Sequence, residues 1–131
     1  MSVQIVRLGT PRKPHEGTRI GTVRRPPRGV PKTKFASGNW YDVWFPNLAP
    51  SVPTMKLGLA AKTPAQWSTF ARKYKAEMAA PAAKHDLALL ATLSHHANFS
   101  VGCYCEYEER CHRSLLRQLL LENGAKMEGL M

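Results

Sequence analysis

The chain has 131 residues, a length that predicts one domain large enough to fold without disulfides. It contains neither a run of about 18 apolar residues nor a signal-peptide core, so we expect no membrane span and a cytoplasmic location. The net charge is +10, and residues 1–34 hold nine basic side chains against one acidic side chain, Glu16. This excess favours an anionic partner, either nucleic acid or a phosphorylated small molecule, and a basic surface without a dedicated ligand is the alternative.

The first part of the chain predicts short strands separated by turns. Residues 3–8 and 18–23 are rich in β-branched side chains and predict two strands. Three prolines and a glycine exclude regular structure from much of the segment 24–34, which should form an irregular, exposed, basic loop. The aromatic residues of segment 39–45 predict either a third short strand or a packed loop.

The middle of the chain predicts helices. Residues 54–61 suit one or two helical turns, and residues 82–93 suit a longer helix. The clearest helix begins after Thr63, which with Gln66 forms a capping box, while Pro64 fits the first helical position. The apolar faces of the two longer helices are Trp67, Phe70, Tyr74 and Met78 in the first and Leu87, Leu90 and Leu93 in the second. This spacing of three and four residues is typical of core-facing helices.

The last third predicts a strand, a turn and a helix. Residues 99–105 predict a buried strand, residues 106–109 a polar connection, and residues 110–123 a helix that ends before Gly124. Residues 125–131 are expected to form a frayed tail. This order of elements favours a single α/β domain over residues 1–131, with a short, partly parallel sheet packed with helices.

All three cysteines fall within nine residues and are followed at once by His112 and Arg113. In α/β sheets ligands lie at the carboxyl ends of strands, where this segment is expected. Cys103, Cys105, Cys111 and His112 form a ligand set that zinc accepts. Cys111 and His112 can reach one ion only if they precede the first turn of the helix. His95 or His96 is an alternative fourth ligand.

Two other interpretations of the same segment remain open. Cys111 lies near a helix N-terminus, which favours a reactive thiolate, and His112 or Cys105 would take part in the same chemistry. The glutamates of segment 106–109 oppose that interpretation, because they disfavour a thiolate. Alternatively, the cysteines are buried structural residues.

Several segments resemble the YeaO-like proteins, a bacterial family that carries domain of unknown function 488. The Cys-x-Cys-Glu segment at 103–106 and the Cys-His-Arg-Ser-Leu segment at 111–115 resemble its C-terminal signature. Upstream, Pro-Arg-Gly-Val at 27–30 with Lys32 and Leu-Ala-Pro-Ser at 48–51 resemble family segments, as does the helix that carries Trp67, Phe70, Tyr74 and Glu77. The family usually has Asp-Arg-Leu-Trp before its Pro-Arg-Gly, where this chain has Val-Arg-Arg-Pro. The resemblance implies a compact α/β domain and supplies no established reaction.

We hypothesise that the family-like polar loops converge on one anion-binding pocket. Its predicted ligand-binding residues are Arg24, Arg28, Lys32, Ser51 and Arg113, with Cys111, His112 and Cys105 as candidate catalytic groups. The alternative functions are a small thiol- or histidine-dependent enzyme acting on a phosphorylated or nucleic-acid substrate, and a zinc-stabilised or purely structural interaction protein. The scattered glycines contain no nucleotide-cofactor fingerprint, so zinc is the one cofactor that the residues suggest.

Overall fold

The computed structural model describes residues 1–127, which form four strands, four α-helices and three short 3-10 helices. The strands are β1 (Val3–Arg7), β2 (Thr18–Gly21), β3 (Val43–Trp44) and β4 (Phe99–Cys103). The helices are α1 (Val52–Ala60), α2 (Pro64–Met78), α3 (Pro81–Leu93) and α4 (His112–Glu122). The 3-10 helices are Lys32–Lys34, Pro46–Leu48 and Glu108–Arg110. No helix within residues 1–127 is long and apolar enough to cross a membrane.

The strands form one sheet in the order β1-β4-β2-β3. Every pair is parallel, so the predicted α/β domain is confirmed, and its sheet is parallel throughout these strands. All five residues of β4 are buried, because the strand lies between β1 and β2 and both of its faces are covered. The last residues of β1 and β4, Arg7 and Cys103, lie side by side.

The main core lies between the sheet and the helices. Val3, Ile5, Phe99 and Val101 of the sheet pack in one cluster with Phe70, Tyr74, Leu87, Leu90, Leu116 and Leu120 of the helices. The predicted apolar face of α2 therefore faces the core, as do Leu87 and Leu90 of α3. In α3, Leu93 remains 39% exposed, because it is the last residue of the helix.

The other face of the sheet is covered by loops and contains a buried ion pair. Arg19, which is fully buried, donates from Nε to Glu16 Oε2 at 2.7 Å. Ser100 of β4 also donates to this oxygen, at 2.7 Å. The Arg19 guanidinium further donates to the backbone oxygens of Thr10 and Asn39, so one side chain joins two loops to the sheet.

Some ends of helices and strands agree with the prediction from sequence, and others differ by a few residues. α2 begins at Pro64 with the predicted capping box at Thr63. β2 and β4 each end two residues earlier than predicted, and α4 begins two residues later. Ala125 to Met127 are not frayed: Met127 is buried and pairs with Val3. The rest of the predicted tail, 128–131, lies outside the described residues.

Candidate functional site: an arginine pocket beside a thiol cluster

A pocket of about 690 Å³ opens at the carboxyl edge of the sheet. Its lining includes the segments that follow β1, β2 and β4, together with the start of α4 and parts of α1 and α2. This edge is where parallel α/β sheets bind ligands. We call it the arginine pocket, because Arg7, Arg24, Arg25, Arg28 and Arg110 line it.

The arginine pocket is positively charged and partly aromatic. Trp40, Tyr104, Trp67 and Phe70 contribute aromatic surface, and Trp40 packs edge-on against Tyr104 with ring centroids 5.9 Å apart. Among the lining residues that the structure describes there is no aspartate or glutamate. The pocket therefore combines cationic groups with flat apolar surface and carries no acidic group to repel an anion.

Two of the five arginines are tied to backbone oxygens. Arg24 donates to the backbone oxygens of Pro46, Ala49 and Pro50 at 3.0 to 3.2 Å, so its guanidinium fixes the loop before α1. Arg7 donates from Nε to Tyr104 O at a long 3.4 Å. Within residues 1–127, the exposed side chains of Arg25, Arg28 and Arg110 have no ion pair or side-chain hydrogen bond. These three remain available to a ligand.

Three thiols and one imidazole meet at the inner wall of the pocket and form what we call the thiol cluster: Cys103, Cys105, Cys111 and His112. Cys103 Sγ lies 3.8 Å from Cys105 Sγ, and Cys111 Sγ lies 3.8 Å from His112 Nδ1. The ligand atoms of Cys103, Cys111 and His112 lie within 4.8 Å of one another. The three thiols are free rather than joined in a disulfide.

The backbone at the start of α4 brings the neighbouring Cys111 and His112 together. Cys111 is the N-cap residue and is extended, with φ −132° and ψ 153°, while His112 is the first helical residue. Cys111 thus precedes the helix and His112 begins it, and their ligand atoms, Sγ and Nδ1, nevertheless lie 3.8 Å apart. His112 Nε2 lies 2.8 Å from Thr22 O. Because a carbonyl oxygen only accepts, Nε2 carries a proton, and in the neutral ring Nδ1 presents its lone pair to the thiols.

Two of the thiols have raised pKa values. The hydrogen bond with Cys105 lowers the pKa of Cys103. The hydrogen bond with Cys111 and burial have a larger, opposite effect, so the pKa is raised to about 12. Cys103 and burial raise the pKa of Cys105 to about 11, although Cys111 and Arg113 act in the opposite direction. Both thiols are therefore protonated at neutral pH in the absence of a metal, which makes them weak nucleophiles.

Three predicted ligand-binding residues do not line the arginine pocket. Lys32 lies on an exposed 3-10 helix and lines a separate depression beside Trp44. Ser51 caps α1 and donates from Oγ to Glu77 Oε2 at 2.5 Å. Arg113 is 4% exposed and donates to Cys105 O at 2.6 Å, so it supports the turn that carries the cysteine.

Other predicted residues are placed as follows. Arg24, Arg28, Cys105, Cys111 and His112 all line the arginine pocket. The alternative ligands His95 and His96 are exposed and precede β4, at the opposite edge of the sheet from the thiol cluster.

Three of the pocket arginines, Arg7, Arg25 and Arg110, are not among the predicted ligand-binding residues. Arg7 is the last residue of β1, and its place near the end of the predicted strand 3–8 is the signal that could have identified it. Arg25 belongs to the predicted basic loop, and Arg110 belongs to the start of the predicted last helix. Of the acidic residues in the 106–109 turn, Glu108 is paired with Arg117 at 2.6 Å, so its charge is compensated.

Comparison with known proteins identifies the family. The family model DUF488-N3a, described as the active DUF488-N3 subclade, matches residues 3–124. This match covers most of the chain, so the chain belongs to the DUF488 family, of which the YeaO-like proteins are part. No curated protein and no solved structure is significantly similar to the chain.

Proposed function

We propose that the protein binds a small anionic ligand, one that carries a phosphate group and a flat apolar ring, in the arginine pocket. The observation that carries this proposal is the set of three arginines, Arg25, Arg28 and Arg110, whose side chains have no partner among residues 1–127. The lining that these residues form includes aromatic rings and, within the same part of the chain, no acidic residue. The ligand of this DUF488 protein would thus contact both the charged rim and the aromatic wall.

The chemistry of the side chains supports a phosphate. A guanidinium group presents its donors in a planar fork that matches two phosphate oxygens, and these charged hydrogen bonds are stronger than neutral ones. The rings of Trp40 and Tyr104 offer a surface against which a flat group can pack. A nucleotide has both features.

The size of the pocket favours a small molecule over a nucleic acid. Its volume of about 690 Å³ lies within the range of small-molecule sites. Nucleic acid is the alternative ligand, because the net charge of +10 would attract it. Several charges that suggested a nucleic-acid surface already have partners within the protein, however: Arg12 pairs with Asp42, Arg19 pairs with Glu16, and Arg24 binds backbone oxygens.

Binding of ATP, AMP and inorganic pyrophosphate, measured by isothermal titration calorimetry, tests the proposal. Arg28→Gln and Arg110→Gln should each weaken ATP binding by about tenfold or more, because each removes a charged hydrogen-bond donor. The matched control is Arg72→Gln, on the exposed face of α2 away from the pocket, and it should leave binding unchanged. Equal affinity for ATP in all three variants, or no binding of any of the three probes, would overturn the proposal.

The salt dependence of binding to a single-stranded oligonucleotide distinguishes the nucleic-acid alternative from a small-molecule ligand. Contact with many phosphates makes affinity fall steeply with salt, whereas a ligand with one phosphate group shows a shallow dependence. Oligonucleotide binding that is steeply salt-dependent and insensitive to Arg28→Gln would favour the nucleic-acid surface and oppose the pocket.

A thiol- or histidine-dependent enzyme is the second candidate, and one observation favours it. His112 Nδ1 faces Cys111 Sγ at 3.8 Å, and the bond to Thr22 O orients the ring, as in a nucleophile–base pair. This function requires Cys111 to react with iodoacetamide near neutral pH much faster than free cysteine does. Slow reaction of Cys111 in folded, metal-free protein would exclude it.

A further inference from the structure

We propose that the thiol cluster binds one zinc ion, coordinated by Cys103, Cys105, Cys111 and His112. The ion would join the end of β4 to the start of α4. The thiol cluster forms the inner wall of the arginine pocket, but this inference does not depend on the ligand proposed for that pocket.

The spacing of the ligand atoms supports tetrahedral coordination. With Zn–S distances of about 2.3 Å, two sulfurs of a regular tetrahedron are ~3.8 Å apart, and a sulfur and a nitrogen are ~3.5 Å apart. The pairs Cys103–Cys105 and Cys111–His112 both lie at 3.8 Å. The ligand atoms of Cys103, Cys111 and His112 are mutually within 4.8 Å, so small rotations of these three side chains would close them around an ion. Cys105 Sγ lies outside this group of three but contacts Cys103 Sγ, and it would be the fourth ligand.

The hydrogen bond between His112 and Thr22 prepares the imidazole for coordination. Metal-bound histidines commonly donate their second N–H to a backbone carbonyl or a carboxylate, which fixes the tautomer and the ring orientation. Here Nε2 donates to Thr22 O at 2.8 Å, and Nδ1 points toward the thiols.

Arg113 provides a second, independent observation. Its side chain is buried, and within residues 1–127 no carboxylate lies within 4 Å of it; its Nε has no hydrogen-bond partner. The Glu108 carboxylate, which is paired with Arg117, acts on Arg113 only from beyond contact distance. A buried guanidinium without a counter-charge in contact is costly. A zinc ion with three thiolates and a neutral imidazole carries a net charge of −1. Arg113, bonded to Cys105 O and acting electrostatically on the Cys105 thiol, lies where it would balance that charge.

Metal content and cobalt substitution test the proposal on protein purified without a chelator or a metal-affinity tag. We expect about one zinc per chain by mass spectrometry. Anaerobic Co²⁺ exchange should give the visible bands of a tetrahedral site and a thiolate-to-metal charge-transfer band. In Cys105→Ser that band should lose about a third of its intensity, because one of three thiolates is removed.

Variants separate coordination from folding. Cys105 is only partly buried, so Cys105→Ser should fold, and its zinc affinity should fall at least about 100-fold. His112→Gln should also lose affinity, whereas His85→Gln, an exposed histidine on α3, is the matched control and should bind zinc as the parent protein does. Arg113→Met should lower zinc affinity by about 10- to 100-fold while leaving the number of thiolate ligands unchanged.

Three results would overturn the proposal. The first is a folded, reduced protein that takes up neither zinc nor cobalt. The second is a charge-transfer intensity that Cys105→Ser leaves unchanged, which would remove Cys105 from the site. The third is an equal zinc affinity in His112→Gln and His85→Gln. Ligand binding in the arginine pocket is measured separately, so its failure would leave these results intact.

Discussion

Replacing Glu16 with glutamine should cost about 3 kcal/mol of the free energy of unfolding at pH 7. Glu16 and Arg19 are 2% and 0% exposed, and the carboxylate accepts four hydrogen bonds: two from Arg19, one from Ser100 and one from Lys13 N. Glutamine keeps one acceptor but presents an amide donor to groups that are themselves donors. Breaking a buried pair in this way, and leaving one charge uncompensated, typically costs about 3 to 5 kcal/mol.

The pKa of Glu16 gives a similar value for the free energy that this carboxylate contributes to folding. Burial raises this pKa, but the hydrogen bonds from Arg19, Ser100 and Lys13 N together lower it from 4.5 to about 2. A difference of this size corresponds to about 3 kcal/mol of preference for the ionised form in the folded state. Because the folded pKa is the lower one, this stabilisation is fully present above pH 4.5 and is lost as the pH falls toward 2. The difference between parent and variant should shrink over the same range.

Urea denaturation followed by circular dichroism measures this effect. A loss of about 3 kcal/mol should lower the urea midpoint by about 1 to 2 M at pH 7. The control is Glu109→Gln, whose side chain is exposed, and its stability should change by less than about 0.5 kcal/mol. A loss below about 1 kcal/mol in Glu16→Gln, or a difference that does not shrink in acid, would refute the reasoning.

Four further substitutions, of which Gly29→Ala is a control, test local features by the same urea assay. Gly17→Ala should lower the free energy of unfolding by at least about 2 kcal/mol, because φ is +73° and a Cβ would lie 1.9 Å from Asn98 O. Gly29→Ala is its control: φ is +76° but the space around it is open, so only the backbone strain of about 1 kcal/mol is expected. Tyr74→Phe removes a buried hydrogen bond of 2.7 Å to Leu48 O and should cost about 1 to 2 kcal/mol. Thr63→Ala removes the N-cap of α2 and should cost about 0.5 to 2 kcal/mol.

Features that depend on neighbouring residues in sequence were predicted well. The capping box at Thr63 and the apolar stripe of α2 are local, and the structure contains both. Strand ends are set by pairing partners that are distant in sequence. β4 was predicted to continue to residue 105, but β1 ends at Arg7 opposite Cys103, so the chain beyond has no strand on that side to pair with. The parallel arrangement of the whole sheet is non-local for the same reason.

The charge of the N-terminal segment shows a related limit of sequence patterns. Nine basic side chains in residues 1–34 predicted an exposed anion-binding surface. In the fold, Arg12 and Arg19 form ion pairs and Arg24 binds backbone oxygens, whereas Arg25 and Arg28 stay free at the pocket. A count of charges cannot separate these two groups, because the partners of the first group are created by folding.

The thiol cluster was predictable as a set of residues but not as a geometry. Sequence spacing left open whether Cys111 and His112 diverge on a helix or converge before it, and the extended conformation of Cys111 decides for convergence. Arg113 was assigned to ligand binding, yet it is buried beneath the turn of Cys105. Among residues 1–127 no carboxylate lies within 4 Å of this buried cation, and its Nε has no hydrogen-bond partner. Thiolates bound to zinc would place negative charge beside this guanidinium, which already binds Cys105 O, so the position of Arg113 favours coordination over nucleophilic catalysis at this site.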